Sequence, residues 1–189
     1  MAKKKRTALW VTVGILGFVV ALLIGSLVFV EITIKNLDSS LDQKQGQVVE
    51  AFEARSKAIN TLTATFKGRM SSDPEVFTQL EKADKELKAA KEVKALSDAN
   101  LKVDLAIDKL IFVLRDKYPY LQVDEKFGAV TEEIDTARNR IVMMSTGFND
   151  VARDYNYAVS NFPGDFLSNI FGHKETEIFQ IVDYEDITK

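Results

Sequence analysis

The sequence predicts an all-α protein: one N-terminal transmembrane helix, then an elongated antiparallel bundle of about four helices. Three observations carry that reading. Residues Ala8 to Val30 give 23 positions without a charged side chain. Beyond them, apolar residues recur at gaps of three and four, the repeat of one helical face. Helix breakers are scarce, with three prolines and nine glycines in 189 residues. At 46% hydrophobic and 28% charged, the composition is that of a folded chain.

As a helix, residues 8–30 span roughly 34 Å at about 1.5 Å per residue, enough to cross a ~30 Å hydrocarbon core. A cleaved signal peptide has a shorter apolar region that ends in small residues. Here the run closes on Leu27-Val28-Phe29-Val30-Glu31, which favours an uncleaved anchor. Lys3, Lys4, Lys5 and Arg6 precede the span, and the first basic residue after it is Lys35. The positive-inside rule then keeps residues 1–7 in the cytoplasm and exports the rest. Seven residues are too few for a folded cytoplasmic module. Within the span Gly17, Ala21 and Gly25 recur every four residues on one face. That face either packs a second membrane helix closely or reflects the ordinary frequency of glycine in such helices.

The exported part is expected as a bundle over 31–172 and an acidic tail over 173–189. Ile34, Leu37, Leu41, Val48, Phe52, Ile59, Leu62 and Phe66 trace one stripe, and Gly68 marks a stop. No proline lies between Ala8 and Gly68, so nothing in the sequence separates the membrane helix from this one. Asp73 before Pro74 signals a second helix start, with a stripe at Val76, Leu80, Ala83, Leu87 and Ala90. Its many charges read as a solvated face with pairs such as Glu81–Lys85. Ser97-Asp98 is the expected cap of a third helix through Leu101, Leu105, Leu110, Phe112, Val113 and Leu114. That run is apolar on most sides, as in an enclosed helix, and it ends at Tyr118-Pro119. The fourth helix carries Phe127, Val130, Ile134, Ala137, Ile141, Met144, Phe148, Val151, Tyr155, Ala158 and Phe162 in alternating steps of three and four. Such a seam wants partner helices. Pro163-Gly164 breaks it, a short helix follows to Phe171, and Gly172 suits its C-cap. In the tail Phe179, Ile181 and Val182 form a sizeable apolar group; it either docks along the bundle or stays loose.

Chemistry is harder to find. Without cysteine there is no disulfide, thiolate metal site or thiol nucleophile, and one histidine excludes multi-histidine cages. No phosphate-binding loop, nucleophile elbow or EF-hand loop occurs. Glu132, Glu133 and Asp135 lack the Glu-x-x-His partners of a di-metal bundle, His173 follows a helix end, and Asp183, Glu185 and Asp186 have no specific spacing. No catalytic residue, metal or cofactor is expected. The net charge is −3, and setting aside the +4 of Lys3, Lys4, Lys5 and Arg6 leaves −7, a poor balance for nucleic acid. The polar strip Arg138, Asn139, Arg140, Asn149, Arg153, Asp154, Tyr155 and Asn156 either fixes register inside the bundle or meets a partner.

Tyr118-Pro119 is followed by Glu133, Arg138, Arg140, Ile141 and Asn149, then Arg153-Asp154-Tyr155-Asn156 and Ala158-Val159. Phe162-Pro163, Phe171-Gly172 and Phe179 complete the series. With Arg55, Ile59, Leu62, Lys67 and Gly68 near the start, this pattern resembles the LemA family of bacterial membrane proteins. One departure is Ile59-Asn60-Thr61-Leu62, where the family commonly has Ile-Pro-Asn-Leu; losing a helix proline favours helicity. The resemblance implies a cell-envelope protein with its bundle outside the cytoplasmic membrane and no enzyme activity. It marks Arg138, Arg140, Asn149, Tyr155, Asn156, Phe162, Pro163, Phe171 and Gly172 as family-motif positions, structural or partner-binding.

The expected function is therefore a non-enzymatic, membrane-anchored scaffold or interaction protein. It would hold the bilayer through residues 8–30 and a protein partner or second copy elsewhere. The alternative is an extracytoplasmic sensor bundle that binds a small ligand and signals through a separate partner.

Overall fold

A computed structural model describes residues 2–181, with the side chains of residue 10 and of residues 13–181. The side chains of Lys3, Lys4, Lys5 and Arg6, and the tail residues Val182, Asp183, Glu185 and Asp186, lie outside the described residues. All regular structure among the described residues is helical, as expected. It comprises α1 (Ala2–Phe66), a 3₁₀ turn (Lys67–Met70), α2 (Pro74–Ala89), α3 (Val93–Lys117), α4 (Pro119–Gln122), α5 (Glu125–Ser160) and α6 (Gly164–Phe171). Two compact units divide the chain. Met1–Ser40 and Ala152–Thr176 form the first, Leu41–Val151 and Glu177–Lys189 the second.

The second unit is a bundle of α1, α2, α3 and α5. Glu50 pairs with Arg140 while Phe66 meets Phe127 edge-on, so α1 and α5 run antiparallel. Glu86–Lys102 and Gln79–Lys109 give the same sense to α2 and α3. The core between them takes Phe52, Ile59 and Leu62 from α1, Leu80 and Leu87 from α2, Ile107 and Leu110 from α3, and Ile134 and Phe148 from α5. Each large apolar side chain so covered contributes about 1.5–3 kcal/mol, which is why the three-and-four repeat specifies this arrangement.

Several boundaries differ from expectation. α3 begins at Val93, not at Ser97-Asp98. Both polar residues have other roles: the buried Ser97 hydroxyl accepts the Gln180 N–H, and Asp98 pairs with Lys94. Nor is α3 enclosed on most sides. Val103, Ile107, Leu110 and Leu114 face inward, whereas Leu105 and Phe112 are exposed. Asp73 does precede α2, but its carboxylate makes no cap. Glu81 pairs with Lys67 across the bundle. The short α4 after Tyr118 was not signalled.

The α5 seam is buried from Phe127 to Phe148 except at the half-buried Met144, but its last position fails. α5 ends at Ser160, and Phe162 lies beyond it, 84% exposed. In the first unit the inward residues of α5 are Ala152, Tyr155 and Val159. The Phe162–Pro163 peptide is cis. Gly164 then starts α6 hard against α5, where an added Cβ would sit 1.7 Å from the Ala158 carbonyl oxygen. Gly172 closes α6 at φ 80°, and its N–H donates to the Ser168 carbonyl at 2.8 Å. That left-handed conformation favours glycine.

Gly164→Ala is accordingly expected to destabilise the first unit by about 1–3 kcal/mol or more. The readout is an earlier thermal transition with faster proteolysis inside 152–176, and a melt matching the parent would contradict the steric account.

Candidate functional site

The bundle holds a buried polar cluster. Arg55, on α1 and 0% exposed, donates from Nη1 to Asp104 Oδ1 at 2.8 Å and from Nη2 to Asn100 Oδ1 at 2.7 Å. The Asn100 amide donates in turn to Asp104 Oδ2 at 3.2 Å. From α5, Arg138 Nε reaches the same Asp104 Oδ1 at 3.3 Å and its Nη2 reaches Asp108 at 3.0 Å. The Arg55 guanidinium also lies 5.9 Å from the centre of the Phe52 ring. Charges taken out of water cost several kcal/mol each unless paired and hydrogen-bonded. Here one carboxylate bridges two guanidinium groups from two helices. Nearby, Ser56 donates to Asp84, which also binds Lys88, so α2 is tied to α1 by a second buried polar contact.

Two asparagines of α5 clamp the segment after α6. In the bundle, Asn149 accepts the Phe179 N–H and donates to the Phe179 carbonyl, both at 2.8 Å. This matched pair of bonds satisfies an extended backbone that has no sheet to join. Phe179 fills the space between Phe52 and Phe148, 5.1 Å from the latter ring. The tail thus docks at this point. In the first unit Asn156 does the same to Thr176, accepting its N–H and donating to its carbonyl at 2.8 Å. Burial, the nearby Asp38 charge and a backbone bond at Lys174 act on the Tyr155 hydroxyl, and the first two prevail, so its pKa is raised. His173 faces Glu31 at 3.3 Å, not open solvent.

Elsewhere in the bundle Asp73 receives Lys117 and, at 2.8 Å, the Tyr118 hydroxyl. Those two bonds hold its carboxyl below the ordinary 3.8. The same contacts raise Lys117 and Tyr118 above their ordinary values.

A model of the LemA family matches residues 44–189, more than half of the chain. The chain belongs to the LemA family. No curated protein matches it. The LemA match begins at residue 44 and so includes every motif position on α5 and α6, while residues 8–30 lie outside it.

These LemA positions divide by environment. Arg138 and Asn149 are in the bundle's polar network, and Arg140 is exposed and paired with Glu50. Tyr155 and Asn156 are inside the first unit, Gly172 is the α6 cap, and Phe162 and Phe171 are exposed beside the half-buried Pro163. Gly17, Ala21 and Gly25 are exposed, and among the described residues nothing outside the local helix lies within 4 Å of a Cβ built at either glycine. Asn100, Asp104, Ser56 and Asp84 escaped the sequence reading. For the two on α3 a signal was present: Ser97, Asn100, Asp104 and Asp108 recur at helical spacing through an apolar run. Glu132, Glu133 and Asp135 are exposed, and no three potential metal ligands converge among the described residues. Two interhelical cavities, one beside Arg55 and one beside Leu62, are each about 10 Å³, no more room than one water needs.

A pH dependence follows from the Asp73 contacts. Its depressed pKa gives stability that is present above 3.8 and lost as pH falls through the folded value. The raised Lys117 and Tyr118 values give stability present below 10.5 and 10.0 respectively and lost as pH rises beyond them. Thermal melts across pH should show a plateau between those limits. Asp73→Asn is expected to lower the plateau and flatten its acid limb; an acid limb as steep as the parent's would count against this assignment.

Proposed function

We propose that this LemA-family chain is a non-enzymatic scaffold or interaction protein of the bacterial cell envelope, anchored by residues 8–30. The N-terminus lies in the cytoplasm and the helical bundle outside it. The observation that carries the reading is an 18-residue apolar window of α1, none of which is buried by the rest of the chain. Left in water, that window would forgo about 1.5–3 kcal/mol for each large side chain. A hydrocarbon layer supplies the missing cover. The four cations ahead of the span support the orientation.

The binding role is supported by the bundle's make-up. The Arg55–Asp104–Arg138 contacts lie within its core, and the exposed Leu105 and Phe112 of α3 offer apolar surface to a partner. Self-association is proposed through Gly17, Ala21 and Gly25, whose small side chains let two membrane helices approach. The acidic remainder of the chain makes nucleic acid an unsuitable partner.

The absence of native cysteine makes a single introduced thiol unique. In intact spheroplasts, a membrane-impermeant maleimide should label Lys109→Cys and spare Thr7→Cys until the membrane is opened; the reverse pattern would overturn the orientation. A thiol-directed cross-linker at Lys109→Cys or Phe112→Cys should yield one reproducible adduct, with an envelope protein or a second copy. Only uncross-linked monomer at both positions would contradict the scaffold reading.

A further inference from the structure

We propose that α6 lies in the interfacial layer of the membrane, with Phe162, Phe166, Ile170 and Phe171 inserted among lipid headgroups and upper acyl chains. The proposal rests on the reading of residues 8–30 as a membrane anchor and adds a second, peripheral attachment to it. α6 turns Leu167 and Ser168 inward and leaves Phe166, Ile170 and Phe171 exposed. Phe162, Phe166 and Ile170 follow at intervals of four, with the polar Asp165 and Asn169 on the adjoining face. A short helix with that much uncovered aromatic and aliphatic surface is amphipathic in the manner of helices lying in a membrane plane. Soluble surfaces seldom keep such residues contiguous.

The position of this surface within the first unit selects lipid as its occupant. Phe162, Pro163 and Gly164 line a groove together with Phe29 and Val30, the last two residues of the uncharged run. A Cβ at Gly164 would lie 3.6 Å from Ile34 Cδ1, so the start of α6 is fixed beside Ile34. Ile34 is four residues past Val30, about 6 Å along a helix. A bilayer's polar layer is of similar depth, ~5–8 Å on each side, the difference between its full and hydrocarbon thickness. At this level Glu31 meets both Lys35, at 3.2 Å, and His173, while the exposed Asp154 also lines the groove. The exposed phenol of Tyr157 lines the groove as well, and such rings favour the headgroup region. Phe162, which opens the Phe162–Phe166–Ile170 series, therefore shares its groove with the segment that enters the hydrocarbon.

The chain's single tryptophan, Trp10, lies in the anchor and serves as an internal reference. The full chain is reconstituted in phosphatidylcholine–phosphatidylglycerol vesicles, with or without bromine on the acyl chains. Two variants, Trp10→Phe/Phe166→Trp and Trp10→Phe/Ile170→Trp, move the sole indole to α6 at positions where the native side chain is exposed. The expected result is that brominated lipid cuts emission about twofold for Trp10 in the parent and for the introduced indoles, and that aqueous iodide reaches them little. Trp10 quenched by bromine while the α6 indoles respond only to iodide would overturn the docking of α6 and leave the anchor intact. α6 indoles shielded from both quenchers would mean that protein, such as a second copy, covers the helix, and would also overturn the proposal. A parent Trp10 untouched by brominated lipid would remove the anchor and the proposal together.

Discussion

Asp104 is a carboxylate with almost no access to water, held between the guanidinium groups of Arg55 and Arg138. Those residues belong to α3, α1 and α5, so one ionic contact ties three helices of the bundle at a shared level. Apolar packing alone is tolerant of small slides, because a seam of leucines and phenylalanines repacks at modest cost. A buried charge is less tolerant: displaced by one helical turn, it would stand unpaired at a cost of several kcal/mol. Asn100 strengthens the constraint by bonding to both Arg55 and Asp104. The bundle's register follows from this point, and the surrounding core fills to it.

The chain after α6 uses a neutral version of the same logic. An extended segment needs partners for its N–H and carbonyl groups, and a carboxamide presents one acceptor and two donors at the right spacing. Asn149 meets Phe179 in this way, and Asn156 meets Thr176. Phe179 adds aromatic packing at the first of these contacts. A segment that composition alone leaves undecided between docked and loose is thus held by two side chains far from it in sequence.

The helical architecture was legible because period and breakers are local properties. The α1 stripe from Ile34 to Phe66, the α5 seam up to Phe148, and the Pro163-Gly164 break with the Gly172 cap can all be read along the chain. What was not legible depends on which side chains meet. Asp84 looks like one more member of a solvated charge run, yet it is buried because Ser56 faces it from α1. Leu105 and Phe112 look like core, yet α3 turns the buried Asp104 inward with Val103, Ile107, Leu110 and Leu114 and leaves those two outward with Asp108. Phe162 continues the α5 spacing, but the helix has already ended at Ser160. Arg138 and Asn149 could be picked out as polar residues near the seam, whereas their partners Asp104 and Phe179 could be named only once the fold was in hand. The family pattern pointed to the same α5 positions without indicating what they touch.

The central claim, that the Asp104 cluster fixes the bundle, is tested most directly by equilibrium urea unfolding of Asp104→Ala against the parent. Removing the carboxylate takes the anion from beside the buried Arg55 guanidinium and breaks one contact of Arg138, and the account predicts a loss of about 3–5 kcal/mol. Stability within about 0.5 kcal/mol of the parent, the range of an ordinary surface substitution, would contradict it.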